Sequence, residues 1–403
     1  MSPVKALRPP PDLAGELACP PYDTVDRDLV RRGVAGRDWS FLRVTRPDCE
    51  LPPGTTRRES ALRGRDNLQH FVSKGYLVPD EGPAFYVIRQ DEAGRSQTGL
   101  VCSVSCRDVL AGHVIGHEAT LPEKVEDRKS LIVLQGACSE PLMMFAKAGP
   151  EFSLALSEHT NQPPLYDITE ARGVRHRLWR AGSPSDLSKL ATIGAGLGKL
   201  YIADGHHRCE AFARALDERP AAPGHVPGFL AAVFSHSELA IRDYNRMIRD
   251  LGPVAKEDFL KQLRHVAHVR PARQPRPERP GNFGMIFSGS WHEVEPREPA
   301  VYDRFNPVAF LDAQRLEDLI LGPLLGIRDI RTDPRVEFCG GQESPVRMEE
   351  LHREGWALGF TVHPPSLKEL IAVADAGLLM PPKSTWFEPK MLSGLVVMPL
   401  DGF

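Results

Sequence analysis

The sequence predicts a mixed α/β protein, and three observations carry that expectation. Short apolar runs that suit buried strands alternate with segments whose apolar residues recur at helical spacing. The 34 glycines and 37 prolines imply many loops around those elements, with few long uninterrupted helices. Around residues 199–216, strand, tight turn and helix follow one another directly: Leu200 to Ala203 suit a buried strand, and Phe212, Ala213 and Leu216 keep helical spacing after a polar turn.

A chain of 403 residues, 41% hydrophobic and 26% charged, has room for a large core and two domains. We expect an N-terminal α/β domain over 1–270 and a C-terminal α/β lobe over 281–403, divided at a Pro/Arg-rich stretch, residues 271–280. A net charge of -3 argues against the broad basic surface of a nucleic-acid binder. Seven scattered cysteines without a Cys-x-x-Cys pair argue against a disulfide framework or a cysteine-rich zinc site. No apolar run of about 18 residues suggests a membrane span, and the N-terminal stretch lacks an apolar segment, so a cytoplasmic protein is expected.

Taken in order, residues 40–44 are expected as a strand that carries Arg43, and Pro20-Pro21 present Tyr22 and Asp23 on a stiffened backbone. Residues 58–74 read as an amphipathic helix closed by Gly75. Residues 84–90 and 96–106 make a hairpin about Asp91 to Gly94. A helix start is expected at Pro122, followed by a helix, a strand (174–180) and a helix (185–197) before the focal unit. Residues 229–235 and 239–247 are expected to pair with each other. Helices over 255–266, near 310–321 and over 366–375, with strands at 283–288 and 356–362, complete the second lobe.

Chemistry concentrates in two polar clusters. Asp204-Gly205-His206-His207-Arg208 gathers a carboxylate, two imidazoles and a guanidinium at a helix start, where free amides favour an anion. His117-Glu118 with Lys124 and Asp127-Arg128 offers a base and phosphate-facing cations, or simply a solvated helix start. Asp243 with Arg246, and Lys383 in a terminal loop with two aromatics, are further candidates.

These residues carry a resemblance. Pro20-Pro21-Tyr22-Asp23, residues 41–47, His117-Glu118 with Lys124 and Asp127-Arg128, Tyr201 to Arg208, Asp243-Tyr244-Asn245-Arg246, and residues 381–390 resemble the bacterial and archaeal family called domain of unknown function 1015. The turn at 204–208 is more distantly similar to the ParB/sulfiredoxin-like superfamily, whose free-serine kinases use such a turn to hold nucleotide phosphates. That likeness implies a ParB/sulfiredoxin-like nucleotide-binding core with an additional C-terminal α/β lobe.

It also implies Glu118 as base, and Gly205, His206, His207 and Arg208 as phosphate cradle. The expected activity is a phosphotransferase using Mg2+ with ATP or ADP on free serine or a related small hydroxylated metabolite. Glu118, Asp204 and His206 are its catalytic candidates; Gly205, His207, Arg208, Lys124, Arg128 and Lys383 would bind phosphate; Tyr22, Asp23, Arg43, His117, Asp243 and Arg246 would edge the pocket. Two alternatives stay open: a metal-dependent hydrolase using His117, Glu118, Asp204, His206 and His207, and a nucleotide-binding regulatory protein without turnover.

Overall fold

The apolar strand Gly228–Ser235 lies inside an eight-stranded sheet and is buried along nearly its whole length, as a strand covered on both faces must be. The computed structural model describes residues 1–218, 227–297 and 305–400. They divide into two compact units: residues 1–116, 120–218, 227–239 and 389–400 form unit one, and residues 117–119, 240–297 and 305–388 form unit two.

Unit one is built on strands β1 (Phe85–Glu92), β2 (Arg95–Ser105), β3 (Val114–Ile115), β4 (Leu142–Ala146), β5 (Tyr166–Thr169), β6 (Arg175–Ala181), β7 (Leu200–Asp204) and β8 (Gly228–Ser235). Their order across the sheet is β3-β7-β4-β8-β2-β1-β6-β5. Pairing is mixed: β8 runs parallel to β4 and antiparallel to β2, while β7 runs parallel to β3 and antiparallel to β4. The β1–β2 hairpin turns on Ala93 and Gly94, both at positive φ (47° and 80°), where the expected turn falls.

Its helices are α1 (Arg57–Ser73), α2 (Pro122–Gln135), α3 (Pro150–Thr160), α4 (Pro184–Ala195) and α5 (His206–Glu218), with α2 beginning at Pro122 as expected. Thr56 and Glu59 form a capping box at α1, and Ser183 and Asp186 do the same at α4. Proline occupies the first turn of α2, α3 and α4.

Two expectations are overturned. Residues 40–44 are not a strand: Leu42–Thr45 is a helical turn, with the Val44 amide bonded back to the Phe41 carbonyl. Phe41, Leu42, Val44 and Thr45 are all buried, and a short segment with only three apolar residues around Arg43 cannot distinguish a strand from a helical turn. Nor do residues 229–235 pair with 239–247. β8 lies in the unit-one sheet, whereas Tyr244–Ile248 belongs to unit two and pairs with Val336–Gly340 and Leu358–Val362. Two adjacent apolar runs carry no signal of which sheet each joins.

Unit two holds a six-stranded sheet of β9 (Tyr244–Ile248), β10 (Ala267–Pro271), β11 (Phe283–Phe287), β12 (Ser290–Pro296), β13 (Val336–Gly340) and β14 (Leu358–Val362), ordered β10-β12-β11-β14-β9-β13 and antiparallel throughout. Residues 271–280 therefore connect two strands of this one sheet. Phe259, Leu263, Phe283, Phe287, Leu321 and Phe360 anchor its core.

Candidate functional site

β7 runs into α5 through Gly205, whose φ of 102° is open to glycine and strained for other residues. A Cβ there would also lie 3.0–3.2 Å from the Arg208 guanidinium, which folds back over the turn. Arg208 is 5% exposed and donates to the Pro141 carbonyl (2.7 Å) and to Asp204 Oδ2 (2.8 Å). The other Asp204 oxygen accepts from Lys390. Burial alone would raise the Asp204 carboxyl, but the charges of Lys390 and Arg208 outweigh it and hold the group well below the usual carboxylate range.

So strong an acid is a poor proton acceptor near neutral pH. In this arrangement Asp204 anchors two cations. The imidazoles of the turn are also engaged: His207 Nε2 accepts the Leu121 amide at 3.0 Å, and His206, 7% exposed, packs against Gly116. His206 and Arg208 are buried at this corner, while Asp204, Gly205 and His207 stay half-buried.

Behind it lies Glu140, which sequence reasoning missed. Its carboxylate, 5% exposed, accepts the Tyr22 amide at 3.2 Å and lies 3.7 Å from Arg128. Burial pushes its carboxyl up, and the opposing charges of Arg208 and Arg128 do not cancel that effect. Arg128 in turn lies over the Tyr22 ring, 4.0 Å from the centroid, and donates to the Thr45 carbonyl at 3.1 Å. Burial also raises the Tyr22 hydroxyl well above its ordinary value.

From this wall opens a cleft of about 580 Å3, in the range of small-molecule sites. Tyr22, Asp23, Arg46, Asp48, Arg57, Lys124, Asp127 and Arg128 line it, with the hydroxyls of Thr55, Thr56 and Ser60. Arg46 makes a two-pronged pair with Asp48 (2.9 and 3.1 Å), and Arg57 pairs with Asp127. Of four cations and three carboxylates in the lining, those two pairs leave Lys124, Arg128 and Asp23 to face the space. Lys124 and Asp23 make no side-chain ion pair among the described residues. Four of the sequence candidates, Tyr22, Asp23, Lys124 and Arg128, thus meet at one wall. The contributions of Arg46 and Arg57 were not anticipated.

The remaining candidates are elsewhere. Arg43 is tied to Glu50 and to the Val34 and Arg37 carbonyls. Unit two holds the other five. His117 Nε2 lies 3.0 Å from Thr385 Oγ1, and Glu118 follows it half-buried. Asp243 accepts from Arg276 (2.9 Å) and Asn245 (2.6 Å). Arg246 is fully buried and donates to the Tyr244, Pro382 and Lys383 carbonyls. Lys383, at φ 55°, places its ammonium 5.5 Å from the Tyr244 ring centroid. Among the described residues no group of three or more His, Cys, Asp or Glu is placed to hold a metal ion, and no helix is long and apolar enough to cross a membrane.

Fold and site together define a two-unit α/β protein with a charge-lined cleft in its first unit. Residues 1–314 match the family described as "Protein of unknown function (DUF1015)", and the chain belongs to it. No curated protein matches the sequence. Solved structures similar to the chain include a conserved hypothetical protein from Pyrococcus furiosus, at 11% identity and a TM-score of 0.38, covering 75% of this chain and 97% of its own. A free serine kinase in complex with AMP has 12% identity and a TM-score of 0.38, covering 75% and 93%. SbnI with C-terminal truncation from Staphylococcus aureus has 12% identity and a TM-score of 0.39, covering 74% and 87%.

Proposed function

We propose that this chain is a nucleotide-dependent small-molecule phosphotransferase, acting on the hydroxyl of free serine or a related hydroxy amino acid, with its phosphate-bearing ligand in the unit-one cleft. The observation that carries the reading is the placement of Arg128: held on the Tyr22 ring and the Thr45 carbonyl, it lines the cleft beside Lys124. Phosphoryl transfer asks a protein mainly for alignment and for neutralisation of spreading negative charge. Arg128 supplies a planar, pre-oriented donor and Lys124 a mobile cation. Asp23, which makes no side-chain ion pair among the described residues, is the cleft carboxylate to which we assign the hydroxyl proton. Magnesium entering with the nucleotide would supply the remaining positive charge.

Purified protein supplied with magnesium, ATP or ADP, and a panel of hydroxy amino acids is expected to yield a phosphorylated amino acid, read by mass spectrometry. Calorimetric nucleotide binding without product would select the regulatory reading. Neither binding nor product overturns the proposal.

A further inference from the structure

Three polar side chains lie in one cross-strand row inside the unit-one sheet: Gln97 on β2 opposite Gln90 on β1, and Gln90 opposite His176 on β6. Their exposures are 3%, 0% and 1%. A continuous chain of hydrogen bonds joins them. Gln97 Nε2 donates to Gln90 Oε1 (2.7 Å), Gln90 Nε2 lies 3.3 Å from His176 Nδ1, and His176 Nε2 lies 2.5 Å from Glu170 Oε1. Because a Gln amide nitrogen only donates, the network assigns His176 the tautomer with its proton on Nε2, toward Glu170.

The row's remaining donor capacity goes to one place. Gln90 Nε2 donates to the Lys390 carbonyl (2.8 Å), and Gln97 Nε2 reaches the Pro389 carbonyl (3.4 Å). Lys390 is the residue whose ammonium sits on Asp204. The rest of this terminal strap is held by backbone bonds, Ser393 with Cys19 and Val397 with Leu7. Buried amides are costly unless paired, and apolar side chains would fill the same row without that cost. A polar row aimed at two adjacent carbonyls does something that apolar packing cannot.

We infer that Gln90 and Gln97, braced by the His176–Glu170 pair, are positioning residues: they grip the backbone at 389–390 so that Lys390 is delivered to Asp204, which fixes the charge balance of the Asp204–Arg208 corner behind the cleft. Where Lys390 sits is independent of the proposed activity; its effect on ligand binding rests on that reading.

The test uses the full chain and the variant Q90M, which keeps the bulk and removes the amide. Q97M serves as a second variant should Q90M fail to fold. D204N, which releases the ammonium, is the positive control. V397A, which trims a strap residue of 0% exposure, controls for loosening of the strap in general. Labelling of Lys390 by an amine-reactive reagent, read by mass spectrometry on folded protein, should rise several-fold in Q90M, Q97M and D204N.

V397A should lower the melting temperature without raising labelling. Wild-type labelling in both Gln variants, or an equal rise in V397A, overturns the inference. Calorimetry with ADP separates the two claims: raised labelling with unchanged ADP affinity leaves the positioning role standing and counts against the ligand reading.

Discussion

The guanidinium carbon of Arg128 rests 4.0 Å from the centroid of the Tyr22 ring, so a cation lining the cleft is oriented by an aromatic face. Lysine in its place keeps the charge but loses the planar stack and the bond to the Thr45 carbonyl. R128K is expected to weaken ADP binding about tenfold, near 1.4 kcal/mol, with a melting temperature close to that of the wild type. Wild-type affinity in R128K would remove the cleft from consideration as the ligand site.

Asp204 is the counter-charge for two partly or wholly buried cations, and D204N strips both of it. A loss on the order of 3 kcal/mol is expected, because breaking a buried pair leaves charge uncompensated. The pH dependence has a definite sign. Lys390 and Arg208 depress the folded-state carboxyl, so its contribution is complete above the unfolded value of about 4 and is lost as pH falls toward the folded one. Urea unfolding at descending pH should show this acid loss in the wild type and not in D204N; parallel profiles would contradict the assignment.

Much of this architecture could be read in the sequence where a signal is local. Amphipathic spacing and Gly75 marked α1, Pro122 marked the start of α2, Ala93-Gly94 marked the hairpin, and Asp204-Gly205 marked the strand-to-helix turn. What stayed hidden depends on distant pairing. Glu140 stands alone between Ser139 and Pro141, ahead of an apolar strand, with no charged neighbour to single it out. Its partners come from residues 22, 128 and 208. The cleft likewise collects Arg46, Arg57 and Lys124 from three segments. The row of Gln90, Gln97 and His176 reads as ordinary strand polarity until the register sets them side by side.

Glu140 should behave in the opposite sense to Asp204. Burial raises its folded-state carboxyl, so its favourable contribution is complete below the unfolded value of about 4.3 and declines as pH rises through the folded one. E140Q retains an acceptor for the Tyr22 amide and removes the charge. Its stability relative to the wild type is expected to improve as pH rises above about 4.3, reaching parity or better once the folded-state carboxyl has ionised. If E140Q instead loses about 3 kcal/mol at neutral pH, the ionised carboxylate is net favourable between its two arginines.

Arg246 and Glu317, within unit two, make a different kind of pair. They lie 4.0 Å apart, and neither Arg246 Nε nor Glu317 Oε1 has a hydrogen-bond partner among the described residues. Burial lowers the Arg246 guanidinium to about 10 and raises the Glu317 carboxyl. The arginine's donors go instead to the Tyr244, Pro382 and Lys383 carbonyls. R246M should therefore cost about 3 kcal/mol through orphaned carbonyls and lost packing, whereas E317Q should cost about 1 kcal/mol or less, because a carboxyl that protonates readily gives up little. A double-mutant cycle by urea unfolding is expected to return a coupling below about 1.5 kcal/mol; a coupling above about 3 kcal/mol would make the ion pair, and not the loop carbonyls, the reason this guanidinium is buried.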